Sequence, residues 1–404
     1  MTVGKNWGGN LTYSASQLVE PTSVAELAAL LPTLPDPRPL GSRHSFSRVA
    51  DTAGALVSTG HLPREIEVDS ARALVRVSSA TRYGELAPLL DDAGWALANL
   101  ASLPHLSVAG AVATGTHGSG DRLGSLATQV AALELVTFGG ELRRVERGEP
   151  DFAGMVVSLG RLAVVTALEL DLVPTFEVVQ TVYEHVSLDR VLAHLDSVTE
   201  LGYSVSIFTT WTVPDQVDQV WVKRRVGDVH AADPIDLLAV RPAAGQRHPI
   251  PGLDPEPTTE QGRPGPWWDR LPHFRMAFTP SAGQEIQSEW LVPRQHATAA
   301  ILAVRSLAAR IAPLLQVSEL RSVAADDLWL SPAYGTDVFA LHFTWHLDVA
   351  GVDALLPQLE ARLRPYQARP HPGKVHREAE VDTSLYPRWA DWMELRQRWT
   401  AATA

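Results

Sequence analysis

The chain contains no cysteine. Disulfides, thiolate nucleophiles, cysteine-ligated zinc and iron–sulfur clusters are thereby excluded. Positive charge is also in short supply. There are 34 basic against 46 acidic side chains, a formal net charge of −12. A surface of that sign repels phosphate backbones and anionic lipid, so no nucleic-acid partner and no membrane partner is expected. No apolar run approaches the roughly 18–20 residues that a membrane span needs. The stretch from Met1 to Tyr13 is polar and lacks the apolar core of a secretory signal, so a cytoplasmic location is expected. Internal repeats and low-complexity tracts are missing as well.

What is present is a chain of 404 residues with a 45% hydrophobic fraction. Domains of roughly 100–200 residues make two the expected number. Twelve tryptophans are many for this length and belong in cores or pocket walls. Ser23-Val24-Ala25-Glu26 reads as a capping box before a helix with Leu27, Leu30 and Leu31 on one face. Strands are expected at 55–59 and 73–79. A helix is expected over 83–93, with Leu86, Leu89 and Leu90 inward and Gly94 as its stop. A hairpin follows over 132–145 about Gly139-Gly140, then a strand over 164–173. Pro174 marks the domain exit. The second half reads as an antiparallel sheet with helices on one side: strands at 177–183, 203–212, 217–224, 284–292, 316–323 and 337–346, and helices at 188–201, 294–312 and 352–363. Residues 228–270, rich in Pro, Gly and His, read as a long functional or mobile loop.

Two loops carry the chemistry. Gly41-Ser42-Arg43-His44-Ser45-Phe46 is the first, and alone it signals only a tight turn. It lacks the G-x-G-x-x-G fingerprint of a dinucleotide-binding turn. The second runs from Ala101 to Gly120 and is dense in glycine, serine and threonine. Small residues let backbone N–H groups approach a pyrophosphate. Two such loops flanking one αβ unit point to one long ligand with several polar groups. In the second half, Glu319 and Arg321 share a strand face by parity, as do His342 and Thr344. Each pair alone reads as a solvated face; together they can line one pocket.

The chain resembles the vanillyl-alcohol-oxidase superfamily of flavoproteins, and within it the alditol (xylitol) oxidases. Gly41–Phe46, Ala101–Gly120, Ser158-Leu159-Gly160, Arg321–Asp326 and Ser331-Pro332-Ala333-Tyr334-Gly335 carry the likeness. The resemblance implies an α+β, two-domain FAD-binding (PCMH-type) fold with an antiparallel-sheet substrate or cap domain. It places the FAD-binding domain at 1–174, the cap at 175–374, and at 375–404 a segment returning to the FAD domain. It implies FAD, covalently attached through His44, in contact with Leu40, Gly41, Ser42, Arg43, Ser45, Ser102, Ser107, Gly110, Thr114, Gly115, Thr116, His117 and Val165. Arg43 stands where many relatives carry glycine; a positive φ there is costly for arginine, and contact with a phosphate is expected to offset it.

For the substrate, the resemblance implies a polyol held by Ser102, Glu319, Arg321, Thr344 and Lys374. Each hydroxyl is both donor and acceptor, which suits that inventory. Arg321 is expected to orient the reacting oxygen, and Lys374 or His342 to take its proton. Small Ala101 is expected to leave room for O2, whose reduction gives hydrogen peroxide. A monomer is expected. The family segment D-P-x-G-K-F-x-N is not found after Tyr386-Pro387-Arg388-Trp389, a departure expected to open one side of the cofactor domain or lower activity. Two competing readings remain: an aldonolactone oxidase or dehydrogenase of the same superfamily, and a flavin-binding paralogue without catalysis.

Overall fold

The computed structural model describes residues 3–229, 232–278, 284–377, 379 and 381–401. Of the long loop expected over 228–270, His230 and Ala231 lie outside the described residues. The chain begins with a small parallel sheet: β1 (Gln17–Val19) and β2 (Arg38–Leu40) flank β3 (Ala55–Ser58). Helix α1 (Val24–Leu30) connects the first two strands. The Ser23 side chain caps it by accepting from the Glu26 N–H at 3.1 Å. The reciprocal half of the expected capping box is displaced by one residue, since the Glu26 carboxylate accepts from the Thr22 N–H instead. Leu30 is only half-buried, while Leu27 and Leu31 are fully covered.

Five antiparallel strands follow: β4 (Ile66–Asp69), β5 (Leu74–Ser78), β7 (Val130–Thr137), β8 (Leu142–Glu146) and β9 (Ala163–Asp171). Their order across the sheet is β4-β5-β9-β7-β8. A two-residue strand β6 (Trp95–Ala96) pairs with β10 (Val173–Pro174) and closes this part of the chain. Helix α2 (Tyr83–Asp92) ends at Gly94, whose φ of +82° suits glycine. Leu89, expected on its inner face, is 52% exposed; Leu86 and Leu90 hold that face with Tyr83 and Ala87. Helix α3 (Val108–Ala113) sits inside the stretch expected to be loop. Its glycine and alanines let it lie close to the first loop, and the same smallness hides its apolar periodicity.

The second sheet has eight antiparallel strands in the order β14-β11-β13-β12-β16-β17-β15-β18. They are β11 (Glu177–Ser187), β12 (Ser204–Thr209), β13 (Gln216–Arg225), β14 (Gly265–Pro266), β15 (Glu285–Pro293), β16 (Leu315–Val323), β17 (Val338–His346) and β18 (Arg369–Pro370). One face is apolar. Phe339, Leu341, Phe343, Trp345, Ile286, Trp290 and Leu320 pack there against helices at 188–199, 297–311 and 349–363. Two of these helices are interrupted. The 188–199 helix breaks at His194 (φ −130°), and nothing in the local sequence pattern explains the break. The second, expected over 294–312, stops at Arg305 and resumes at Ala308.

The core beside the five-stranded sheet also recruits later residues. Leu328, Trp329 and Leu330 join it, as do Trp392 and Leu395 from the final helix Trp389–Ala401. No helix among the described residues is long and apolar enough to cross a membrane.

Candidate active site

The small parallel sheet and α3 set two loops against each other. The Ser42 N–H donates to Ser107 Oγ at 3.3 Å, and the Ser107 N–H donates to Ser42 Oγ at 3.2 Å. The approach leaves no room for side chains. A Cβ on Gly41 or on Gly110 would lie 2.7 Å from Ser107 Oγ. Between the loops runs a cleft of about 300 Å³. Leu40, Gly41, Ser42, Arg43, His44, Ser45, Ser107, Gly110, Thr114, Thr116 and Val165 all line it.

Three residues expected on the cofactor, Ser102, Gly115 and His117, do not line this cleft. Gly115 turns the chain at φ +63° and faces Pro332 and Val157. Ser102 and His117 line an inner chamber instead. Arg43 does adopt the left-handed backbone, with φ +63°. Its guanidinium donates to the Val3 carbonyl at 3.1 Å and lies over the Tyr13 ring. These protein contacts can offset its strained backbone, and Arg43 also lines the cleft in which the phosphate is expected.

His44 lines the cleft beside Ser42. Its Nδ1 lies 2.9 Å from the Ser42 carbonyl, and Trp7 stacks on the ring at 5.2 Å. Among the described residues its Nε2 is buried without a hydrogen-bond partner. Burial, only partly opposed by the Ser42 carbonyl, pushes the imidazole down to about 4. A neutral ring with one unpartnered nitrogen is a competent nucleophile. Together with the glycine cradle, that orphaned nitrogen fits FAD.

The cleft adjoins a chamber of about 80 Å³ on the polar face of the large sheet. Thr116, Gln287, His371 and Lys374 line both spaces and mark the junction. Strand register assembles the chamber wall. Glu319 pairs with His342, His342 with Glu289, and Thr344 with Gln287. Arg321 sits at the centre, 5% exposed. It donates to Ser102 Oγ at 3.1 Å and to Glu289 Oε1 at 3.0 Å, and approaches Glu319 Oε2 at 3.3 Å. Burial opposes ionisation of both carboxylates. For Glu289 it is overcome by His117 and Arg321, and for Glu319 by Arg321 and His273, so both stay below the carboxylate range. Lys374 donates to Gln287 Oε1. Its burial, aided by Arg321 and resisted by Glu289, lowers its amine from the usual lysine value. His342 is pushed down to about 4, by burial first and the Lys374 charge next. Its Nε2 lies 3.1 Å from Thr344 Oγ1 and its Nδ1 3.6 Å from Glu289 Oε1.

Ser102, Glu319, Arg321, His342, Thr344 and Lys374 thus share one chamber. Sequence reasoning missed Gln287 and Glu289, although Glu285, Gln287 and Glu289 alternate along β15 with the same parity signal. It also missed His273 and His371. They lie outside regular strands, where no periodicity marks a facing side chain.

Comparison with known proteins shows which family the chain resembles. Residues 15–146 match a family model described as FAD binding domain, and residues 279–400 one described as D-arabinono-1,4-lactone oxidase. The chain is 45% identical over 399 residues to an alditol oxidase of Streptomyces sp. (strain IKD472 / FERM P-14339), covering 98% of this chain and 94% of that one. It is 30% identical over 424 residues to an L-gulono-1,4-lactone dehydrogenase of Mycobacterium tuberculosis (strain ATCC 25618 / H37Rv), covering 98% and 95%. Among solved structures, cholesterol oxidase from B. sterolicum superposes with a TM-score of 0.71 over 92% of this chain and 85% of that one. At 14% identity, that likeness speaks to the fold alone.

Proposed function

The chain belongs to the alditol oxidase family of FAD-dependent oxidoreductases, in the vanillyl-alcohol-oxidase superfamily, and from that premise we propose that it oxidises a terminal hydroxyl of an alditol to the aldose, with O2 reduced to hydrogen peroxide. The observation that carries this reading is the chamber wall: two ionised carboxylates, a buried guanidinium, a lysine and hydroxyls, all facing one space beside the cleft. Such a site matches a molecule whose every carbon bears a donor–acceptor hydroxyl. It rejects analogues that lack one, because buried polar groups are then left unpaired.

Gly41, Ser42, Ser107 and Gly110 would hold the pyrophosphate and ribityl chain of FAD, and His44 would be its point of covalent attachment. Bound FAD would supply the hydride-accepting chemistry for the alcohol carbon and the route by which its two electrons reach O2. The remaining steps belong to side chains. Arg321, held between Glu289 and Glu319, turns its guanidinium to the substrate oxygen and stabilises charge developing there. Lys374 Nζ, at the junction of cleft and chamber, takes the hydroxyl proton. It is favoured over His342, whose Nε2 is occupied by Thr344 and whose Nδ1 faces Glu289. Glu319, Ser102 and Thr344 receive the other hydroxyls. Ala101, buried at the chamber wall, leaves space for O2.

The second reading, aldonolactone oxidation, draws support from the lactone-oxidase match over residues 279–400. Peroxide release separates the two. Xylitol and sorbitol should be turned over with a kcat/KM at least about 100-fold above that of L-gulono-1,4-lactone. A preference for the lactone would transfer the chain to the second reading.

A further inference from the structure

Behind the chamber runs a line of buried ionisable groups that the mechanism above does not use. Lys223, on β13, is 1% exposed. Its Nζ donates to the Leu271 carbonyl at 2.6 Å and the Pro272 carbonyl at 2.9 Å, and lies 3.3 Å from His273 Nδ1. His273 Nε2 lies 2.7 Å from Glu319 Oε1. Glu319 Oε2 in turn faces Arg321. His273 is itself 4% exposed, lines the chamber, and is absent from the cleft. Its backbone N–H also donates to the Ser102 carbonyl at 3.1 Å, so its position is fixed from both ends.

We propose that Lys223 and His273 are positioning residues: Lys223 fixes the tautomer of His273, His273 holds Glu319 as an ionised acceptor for substrate hydroxyls, and the protonation of Lys223 thereby sets the affinity for polyol. The inference rests on the alditol reading for its substrate but not for its tautomer.

Hydrogen counting gives the reason. An ammonium has three donors and no acceptor. Two go to the carbonyls of Leu271 and Pro272, and the third meets His273 Nδ1. That nitrogen must then present its lone pair, so the imidazole proton sits on Nε2 and is donated to Glu319. A neutral amine has two hydrogens, both taken by the carbonyls. Its lone pair now faces Nδ1, which requires the proton there. Nε2 then turns a lone pair on a carboxylate oxygen at hydrogen-bond distance. Glu319 must swing away or take up a proton, and either change removes the acceptor.

The surroundings allow this change near neutral pH. Burial pushes Lys223 down to about 7, with Glu319 opposing the shift, Arg270 adding to it and Asp269 opposing it. Among the described residues, those three and His273 are the charged or titratable groups facing it; the Trp221 ring lies beside it at 5.8 Å. His273 itself is held neutral, pushed down to about 4 by burial, so the hydrogen bond to Glu319 comes from a neutral ring.

The test uses the FAD-loaded enzyme with sorbitol, from about pH 6 to about pH 9. The wild type should show KM rising about tenfold through the Lys223 transition, the loss expected for one hydrogen bond to a charged group, while kcat follows the separate ionisation of Lys374. Lys223→Met should abolish that step. His273→Gln, whose amide donates to Glu319 whatever the state of Lys223, should keep a low KM and show no step. His273→Leu should have a high KM throughout. Nitrogen-15 spectra of the His273 ring should report Nε2–H at low pH and Nδ1–H at high pH, with or without substrate.

A KM step that survives in Lys223→Met or His273→Gln overturns the relay, as does a ring tautomer that never changes. If Lys223→Met does not fold, the two His273 variants and the ring spectra decide. If the wild type oxidises no alditol, the substrate reading fails, while the ring tautomer still tests the relay.

Discussion

Replacing Glu289 by glutamine removes one charge from the chamber while keeping its shape. Glu289 is 1% exposed, and its Oε1 serves Arg321 at 3.0 Å, His117 at 3.4 Å and His342 at 3.6 Å. Its Oε2 has no hydrogen-bond partner among the described residues. The amide oxygen of glutamine can still accept from Arg321, but a bond to an ionised group is worth about 1.5–3 kcal/mol against about 1 for a neutral one. The guanidinium also loses one of its two carboxylates. Removing a partner from a buried ion pair outright costs about 3–5 kcal/mol. An isosteric amide keeps part of that, so a loss of about 2–3 kcal/mol is expected. For a cooperative unit of about 200 residues this lowers Tm by about 4–12 °C. Flavin reduction by xylitol should slow by about 100-fold, as the freed guanidinium no longer points at one place. Thermal unfolding followed by tryptophan fluorescence and anaerobic stopped-flow reduction check both numbers. The exposed pair Glu141–Arg143 supplies the control: Arg143→Gln should shift Tm by less than about 2 °C. A Glu289→Gln variant as stable as that control, with an undiminished reduction rate, refutes the claim that Glu289 anchors Arg321.

Gly41→Ala should place a methyl group 2.7 Å from Ser107 Oγ; flavin content, read as the ratio of 450 to 280 nm absorbance, should fall at least about tenfold, with partial recovery in the Gly41→Ala/Ser107→Gly double variant. His44→Ala should still take up FAD, yet release all of its yellow colour to the supernatant on acid precipitation, whereas the wild-type colour should stay with the pellet. Acid stability follows from the buried histidines. His273 and His342 titrate at about 4 in the folded chain and near 6.5 when unfolded. Between those values the unfolded chain binds more protons, so stability is lost as pH falls, by on the order of 2 kcal/mol per histidine by pH 5. Glu289 and Glu319, held low when folded, add a further loss below the unfolded carboxylate value. Urea midpoints at pH 7 and pH 5 should show the drop, and His342→Asn should reduce it.

Period and parity make the large sheet legible in the sequence. The alternation in β16 and β17 places Glu319 with Arg321 and His342 with Thr344 on one face, and strand register brings the two pairs together. Parity does not say that β15 lies beside β17, with β18 carrying the chain on to His371, because neighbours in a sheet are chosen by tertiary packing. Glu289, the carboxylate that holds Arg321, therefore escapes notice although its own strand alternates as clearly. Helix α3 escapes because Val108-Ala109-Gly110-Ala111-Val112-Ala113 is built of small residues, whose purpose is close approach to the first loop. Leu89 shows the reverse error: helical spacing admits it to the inner face, yet Leu86 and Leu90 fill that face and leave it outside. Lys223 and His273 give no sequence signal. A buried lysine inside β13 and a histidine in an irregular segment become meaningful only when their separation is known.

The central claim is that this chamber presents an alditol to a bound flavin. Mixing the purified enzyme with xylitol in the absence of oxygen tests it most directly. The account predicts that the 450 nm absorbance bleaches completely, and that admitting air restores it with one hydrogen peroxide per flavin. A flavin that keeps its colour with xylitol, sorbitol and glycerol alike contradicts it.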